Sequence, residues 1–165
     1  MALTSTTFSS PVGKLHIVSR GTTVLALNLR SMRDAYESLD SAFEHEEFKE
    51  VKKIVGVTDL LDSYFGGDLN ALKTIKTLQP GGEFSQAAWK AIRRVRGGEV
   101  ATYSELAEMI GRPRAMRAAG TDCGKNKVAI IIPCHRIVKS DGTIGNYGYG
   151  IATKKKLLAH EGVDY

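Results

Sequence analysis

The stretch Thr102-Tyr103-Ser104-Glu105-Leu106-Ala107-Glu108-Met109-Ile110-Gly111-Arg112-Pro113-Arg114-Ala115-Met116-Arg117-Ala118-Ala119 decides the fold class. Thr102 and Glu105 have the Thr-x-x-Glu spacing of a capping box, which predicts a helix start. Leu106, Met109 and Ile110 give that helix an apolar face, and Gly111 ends it. Pro113 stands where a first helical residue is favoured, so a second short helix is predicted from there through Ala119. Two short helices joined by a tight glycine-containing turn form a helix-turn-helix pattern. Packed helix pairs with no nucleic-acid role share it. Ala115, Ala118 and Ala119 sharpen the reading, because a helix carrying alanines can approach a groove closely. Arg114 and Arg117 could then reach phosphates or the base stack.

Around this pair the second half of the chain reads as mostly helical. Residues 84–95 place Phe84, Ala88, Ile92 and Val95 on one face, and Gly97-Gly98 stops them. Residues 154–162, Lys-Lys-Lys-Leu-Leu-Ala-His-Glu-Gly, read as a basic-then-apolar helix with a glycine stop. The first half alternates strand and turn signals. Strands are predicted at 6–8, 14–18 and 22–29, with a turn at 9–13, giving a small antiparallel meander. A charged stretch over 32–50 has helical tendency, a helix over 57–64 closes at Gly66-Gly67, and 70–82 reads as a connector. The expected architecture is α/β (α+β). An N-terminal α/β subdomain, 1–80, holds a small antiparallel sheet plus helices; a C-terminal, mostly helical, winged helix-turn-helix-like subdomain spans 81–165.

With 42% hydrophobic and 25% charged residues, a chain of 165 can bury a real core. The apolar runs are too short to span a bilayer, and the first residues lack the basic and apolar regions of a secretory signal. Two cysteines are too few for a disulfide framework, and with four scattered histidines they show no metal-ligand spacing. No metal, no cofactor and no membrane partner are expected. A cytoplasmic location is expected, nucleoid-associated in a prokaryote or nuclear in a eukaryote. Residues 1–80 carry 9 Lys/Arg against 10 Asp/Glu, and residues 81–165 carry 14 against 8. The net charge of +5 therefore sits in the second half, which favours a polyanionic partner, nucleic acid first.

That same half holds Val128-Ala129-Ile130-Ile131-Ile132-Pro133-Cys134-His135-Arg136-Ile137-Val138. The apolar run reads as a buried strand stopped by Pro133, which would hold the Cys134 thiol at an element edge beside an imidazole. A thiol reacts as its thiolate, and a neighbouring His or Arg lowers the cost of that charge. The bland alternative is a buried cysteine acting as a small hydrophobe. Downstream, Gly145-Asn146-Tyr147-Gly148-Tyr149-Gly150 offers a loop whose backbone can approach a ligand, with aromatic faces for stacking. Glu161 reads either as a solvated carboxylate or as the orienter of His135 in a nucleophile–base–orienter arrangement.

Taken in order, the Pro-Cys-His-Arg run, the Arg117-Ala118-Ala119-Gly120 helix, Asn126, the Tyr-Gly loop and the Glu161-Gly162 ending resemble the O6-alkylguanine-DNA alkyltransferases, also called methylated-DNA–protein cysteine methyltransferases. The resemblance is strong from about Phe84 to Gly162 and looser before it. It implies that Cys134 accepts the alkyl group, His135 is a general base acting through a water, and Glu161 orients the histidine. Asn126 would brace the active-site turn. Arg117 would enter the duplex where the flipped nucleotide was, and Tyr103 would help rotate that nucleotide and donate to the guanine. Ala118, Arg114, Arg112 and Ser104 fall on the DNA-binding side. Tyr147, Gly148, Tyr149 and the backbone near Ile137 fall on the guanine pocket. The implied partner is double-stranded DNA carrying O6-alkylguanine, bound by a monomer, with cooperativity along DNA left open. The implied reaction is irreversible and used once per molecule.

Two departures matter. Lys127 replaces the proline common after the bracing asparagine, which would cost rigidity. Tyr149 replaces a glycine of the loop, which would narrow the pocket. Three other readings compete: a damage sensor that flips the base without removing the alkyl group, a winged-helix regulator with an incidental thiol, and a cysteine hydrolase. An intact Cys134 argues against the first, Pro133-Cys134-His135-Arg136 is unexplained by the second, and no residues suggest the substrate pocket needed by the third.

Overall fold

A computed structural model describes residues 2–165. The chain forms two compact units, which part at Pro80–Gly81. The first also includes Lys127–Ile131.

In the first unit β1 (Leu3–Ser10) and β2 (Gly13–Arg20) form a hairpin with register Thr4↔Ser19 through Ser10↔Gly13. Gly13 takes φ +119, a conformation glycine reaches without a Cβ penalty, and so lets the turn close. β3 (Thr23–Asn28) pairs antiparallel with β2. The predicted meander is present, with the first two strands longer than expected and the third shorter.

The charged stretch that followed it departs from expectation. Only α1 (Met32–Glu37) is α-helical; Ser41–Phe43 is a 3-10 turn, and β4 (Phe48–Glu50) lies parallel to β1. The sheet order is β3-β2-β1-β4, so the sheet is mixed rather than wholly antiparallel. Local side-chain bonds explain the break. The Ser38 hydroxyl donates to the Ala35 carbonyl at 2.7 Å, and Asp40 Oδ1 accepts from the Ala42 amide at 3.0 Å, so both compete with helix propagation. Leu3, Val18, Leu25, Ala26 and Ala35 form a buried cluster against which Met32, Tyr36, Leu39 and Phe43 pack. α2 (Thr58–Phe65) buries Leu61 and Tyr64 and closes at Gly66.

In the second unit the order is α3 (Glu83–Ile92), β5 (Ala101–Thr102), α4 (Tyr103–Met109), α5 (Met116–Lys125), β6 (Ile137–Val138) and α6 (Ile151–His160). The capping box forms as the spacing requires. Thr102 Oγ1 accepts from the Glu105 amide at 3.1 Å, and Glu105 Oε1 accepts from the Thr102 amide at 3.1 Å. Gly111, at φ +81, reverses the chain after α4.

The second helix differs from its predicted span. α5 begins at Met116, after a turn in which the Ala115 amide donates to the Arg112 carbonyl, and it runs on to Lys125. Its C-terminal half is held from α3, where Trp89 Nε1 donates to the Asp122 carbonyl at 2.9 Å and Ser85 Oγ to Asp122 Oδ1 at 2.6 Å. Those tertiary bonds outweigh a sequence, Gly-Thr-Asp-Cys-Gly, of poor helix formers. β5 and β6 pair in parallel, and β6 leads into a tight turn closed by the Lys139 amide on the Thr143 carbonyl.

Val128–Ile132 is not a strand. Around Val128 the chain makes one bridge to Leu27 of β3, with the Leu27 amide on the Lys127 carbonyl and the Ala129 amide on the Leu27 carbonyl. Ile130 then takes φ +70, while the Ile131 amide donates to the Ala129 carbonyl at 2.7 Å. A β-branched residue in a γ-turn of positive φ is strained, by about 1–3 kcal/mol. Burial of the whole run compensates: Val128 through Ile132 are at most 3% exposed. Pro133 does more than stop a ladder. Its φ of −82 and ψ of 66 are those of an inverse γ-turn, closed by the Cys134 amide on the Ile132 carbonyl at 2.8 Å.

Candidate active site

Cys134 opens a 3-10 turn, Cys134–Arg136, set up by the γ-turn at Pro133. The residue is only 7% exposed. Asn126, the residue that ends α5, donates from Nδ2 to the Ile132 carbonyl at 2.9 Å and to Cys134 Sγ at 3.2 Å. One amide thus ties the end of the helix to both sides of the proline turn and contacts the sulfur. The residue after it, Lys127, donates its backbone amide to Gln79 Oε1 at 2.8 Å. Proline could not make that bond, so the expected loss of rigidity at this position is offset.

His135 is next to Cys134 in sequence, but its ring is wholly buried, with Nε2 2.8 Å from Glu161 Oε2. Arg136 also serves Glu161: Nε donates to Oε1 at 2.8 Å and Nη2 to Oε2 at 3.0 Å, while Nη1 donates to the Val95 carbonyl at 2.8 Å. This fork is the bidentate geometry that guanidinium favours. Burial pushes the Glu161 carboxyl up, but the hydrogen bonds from His135 and Arg136 outweigh it and leave it well below the usual carboxylate range. Burial lowers the His135 pKa; the bond to Glu161 opposes this without reversing it. Facing a carboxylate, Nε2 must carry the proton of a neutral ring, which leaves Nδ1 as the acceptor nitrogen. Among the described residues Nδ1 has no hydrogen-bond partner.

A cavity of about 280 Å³ lies on the other side of the thiol, lined by Tyr103, Gly120, Cys123, Gly124, Cys134, Asn146, Tyr147 and Gly148. Burial, then the two cysteines, push the Tyr103 hydroxyl up to about 12, so it is a proton donor at neutral pH. The Tyr147 ring is half-buried with its hydroxyl fully so, and burial raises that hydroxyl well above its ordinary value. Tyr149 is not in the cavity wall. Its ring meets Tyr147 edge-on at 5.5 Å, so any narrowing by Tyr149 acts through Tyr147. Ile137 is not in the wall either, and its carbonyl accepts from Lys154 Nζ at 2.7 Å. Lys154 also reaches the Asn146 carbonyl at 3.1 Å, so one lysine tethers the Tyr-Gly loop to the strand after the active turn. Burial brings its pKa down to about 8, against the opposing pull of the two cysteines.

Beside this cavity lies a second of about 330 Å³, lined by Tyr103, Met116, Arg117, Gly120, Lys139, Ser140 and Asp141. Tyr103 and Gly120 belong to both. Arg117, Ala118, Arg114 and Arg112 are exposed. The Arg112 guanidinium stands 5.9 Å from the Phe84 ring centroid, a contact between residues 28 positions apart that carries no sequence signal. Ser104 Oγ pairs with Ser140 Oγ at 2.8 Å, joining the start of α4 to the turn after β6.

Residues 83–163 match the family model described as the 6-O-methylguanine DNA methyltransferase DNA-binding domain. The methylated-DNA–protein-cysteine methyltransferase of Salmonella typhimurium is 35% identical over 158 residues, covering 93% of this chain and 92% of that protein. The chain belongs to the methylated-DNA–protein-cysteine methyltransferase family. A family member from Mycobacterium tuberculosis is 36% identical over 155 residues, 94% of this chain and 90% of its own. The fold is similar to the crystal structure of Mycobacterium tuberculosis OGT in complex with DNA, with a TM-score of 0.79 at 31% identity, over 96% of this chain and 93% of that one.

Against this family background the structure brings Cys134, Asn126, Tyr103, Tyr147 and Gly148 around one cavity and puts His135 and Glu161 together behind it. Sequence reasoning missed Arg136, Lys154 and Cys123 as site residues. Arg136 stood inside the quoted motif, and Lys154 was hidden in a run of three lysines that reads as solvated charge. Cys123, one of only two cysteines, was the available signal for the third.

Proposed function

We propose that this protein is a single-use DNA repair alkyltransferase. It draws O6-alkylguanine out of duplex DNA and moves the alkyl group irreversibly to Cys134 Sγ. The observation that carries this reading is the placement of Cys134 in the wall of a cavity beside α5, held by Asn126 and backed by the His135–Glu161 pair. The target oxygen lies inside the base stack, so the nucleotide must leave the duplex, at about a few kcal/mol for unstacking and unpairing. Arg117, exposed on α5, would fill the gap, with Arg114 and Arg112 on phosphates and Ala118 permitting close approach.

In the cavity the Tyr147 ring and Gly148 would receive the guanine. Cys134 would lose its proton through one water to His135 Nδ1, and Glu161 would hold the resulting imidazolium. The thiolate then attacks the alkyl carbon in line; the S–C bond forms as the C–O bond breaks. Tyr103 supplies a proton to the departing guanine. Among the described residues, the site offers no group to cleave the thioether. Protein is therefore consumed with each event. Titration with a duplex carrying labelled O6-methylguanine should saturate at one methyl per protein molecule. Continued uptake with excess duplex would overturn the reading.

A further inference from the structure

Cys123 lines the same cavity as Cys134, in the last turn of α5, and has no part in the transfer described above. Both cysteines are free thiols, and both stand in the wall of this one cavity. The neighbouring Cys134 and burial push the Cys123 thiol up, against the opposing pull of Lys154, so Cys123 remains a thiol at neutral pH. Two free thiols in the wall of one open cavity are the reactants of a disulfide.

We propose that Cys123 is a resolving cysteine: on exposure to hydrogen peroxide it closes a reversible disulfide with Cys134 and withdraws the alkyl acceptor. This consequence rests on Cys134 being that acceptor. In the first step the Cys134 thiolate attacks one peroxide oxygen. The S–O bond forms as the O–O bond breaks, hydroxide leaves and becomes water, and Cys134 is a sulfenic acid, oxidised by two electrons. The sulfenic acid is neutral, so the charge that opposed ionisation of Cys123 is removed. Cys123 sulfur then attacks Cys134 sulfur; the S–S bond forms, the S–O bond breaks, and the leaving hydroxide takes the Cys123 proton as a second water. Two thiols and one peroxide give one disulfide and two waters. For a single-use acceptor the gain is specific. Oxidation past the sulfenic stage is as final as alkylation, whereas a disulfide is undone by a thiol.

The test is peroxide treatment of the full chain, followed by iodoacetamide and peptide mapping, with methyl uptake from an O6-methylguanine duplex measured in parallel. The expected product is lighter by two hydrogens, has the Cys123 and Cys134 peptides linked, and takes up no iodoacetamide at either. Methyl uptake should fall to the level of Cys134→Ala and return to its starting value after dithiothreitol. Cys123→Ala, judged against its own untreated uptake, should lose activity in a way that dithiothreitol does not restore. Cys134 carrying two or three oxygens while Cys123 still reacts with iodoacetamide, or a disulfide only between two molecules, would overturn the proposal. A linked pair in a protein that takes up no methyl before oxidation would uphold the disulfide and sink the acceptor reading instead.

Discussion

The two sides of Cys134 are built on opposite principles. Behind it, Glu161 is buried and its oxygens are taken by His135 and by two nitrogens of Arg136, at 2.8–3.0 Å. In front, the arginines of the α4–α5 region stand exposed, and the cavity wall is formed by tyrosines, glycines, the two cysteines and Asn146. A buried charge that lost a partner would destabilise the fold, so the rear network is fixed. Exposed cations lose little when unpaired, so the front is free to meet a polyanion. Rigidity is placed where a proton must be held, and unspent charge where a ligand must be met.

The first way to break this contrast is at His135. His135→Ala removes the only base behind the thiol in the proposed mechanism, so the methyl-transfer rate of the folded protein should fall by about 10²–10⁴-fold. A single-turnover rate near the wild-type value would refute the base role. Arg136→Met strips Glu161 of two donors while keeping bulk, and should destabilise the protein by about 3–5 kcal/mol in urea unfolding. A change below 1 kcal/mol would show that the rear network is not the rigid element described.

Acid should act on the same network. The His135 pKa is lowered from 6.5, so between that value and its folded pKa the unfolded chain binds more protons, and stability falls as pH drops below 6.5. The Glu161 pKa is lowered from 4.5, so its contribution is present above 4.5 and is lost as pH falls toward its folded value. Both shifts have the same sign, and thermal unfolding followed from pH 7 to pH 4 should show a steady decline. A flat profile would contradict the buried neutral histidine. At the front the expected effect is smallest. Arg114→Ala should leave stability unchanged and reduce the slope of log affinity against log salt for duplex DNA by about one. An unchanged slope would take Arg114 off the phosphate backbone.

The same contrast governs what could be read from sequence. Local devices were legible: the Thr102–Glu105 capping box, the Gly111 reversal and the hairpin at Gly13 depend on residues within a few positions of each other. The active motif was legible as composition but not as geometry. His135 follows Cys134 directly, yet its ring turns to a carboxylate 26 residues further on, while the hydrogen bond to the sulfur comes from Asn126 at the end of α5. The run Val128–Ile132 looks like a strand because nothing in five apolar residues signals a positive φ at Ile130. Lys154, Lys155 and Lys156 look alike in sequence, and only the fold distinguishes the buried one from its exposed neighbours.

The account stands on the chemical fate of one sulfur. The direct measurement is intact mass followed by fragment mapping after incubation with an O6-methylguanine duplex. The predicted result is a single added methyl group on Cys134 Sγ, none on Cys123, and none anywhere in Cys134→Ala. A methyl group on Cys123, or guanine restored in the duplex with no change in protein mass, would contradict it.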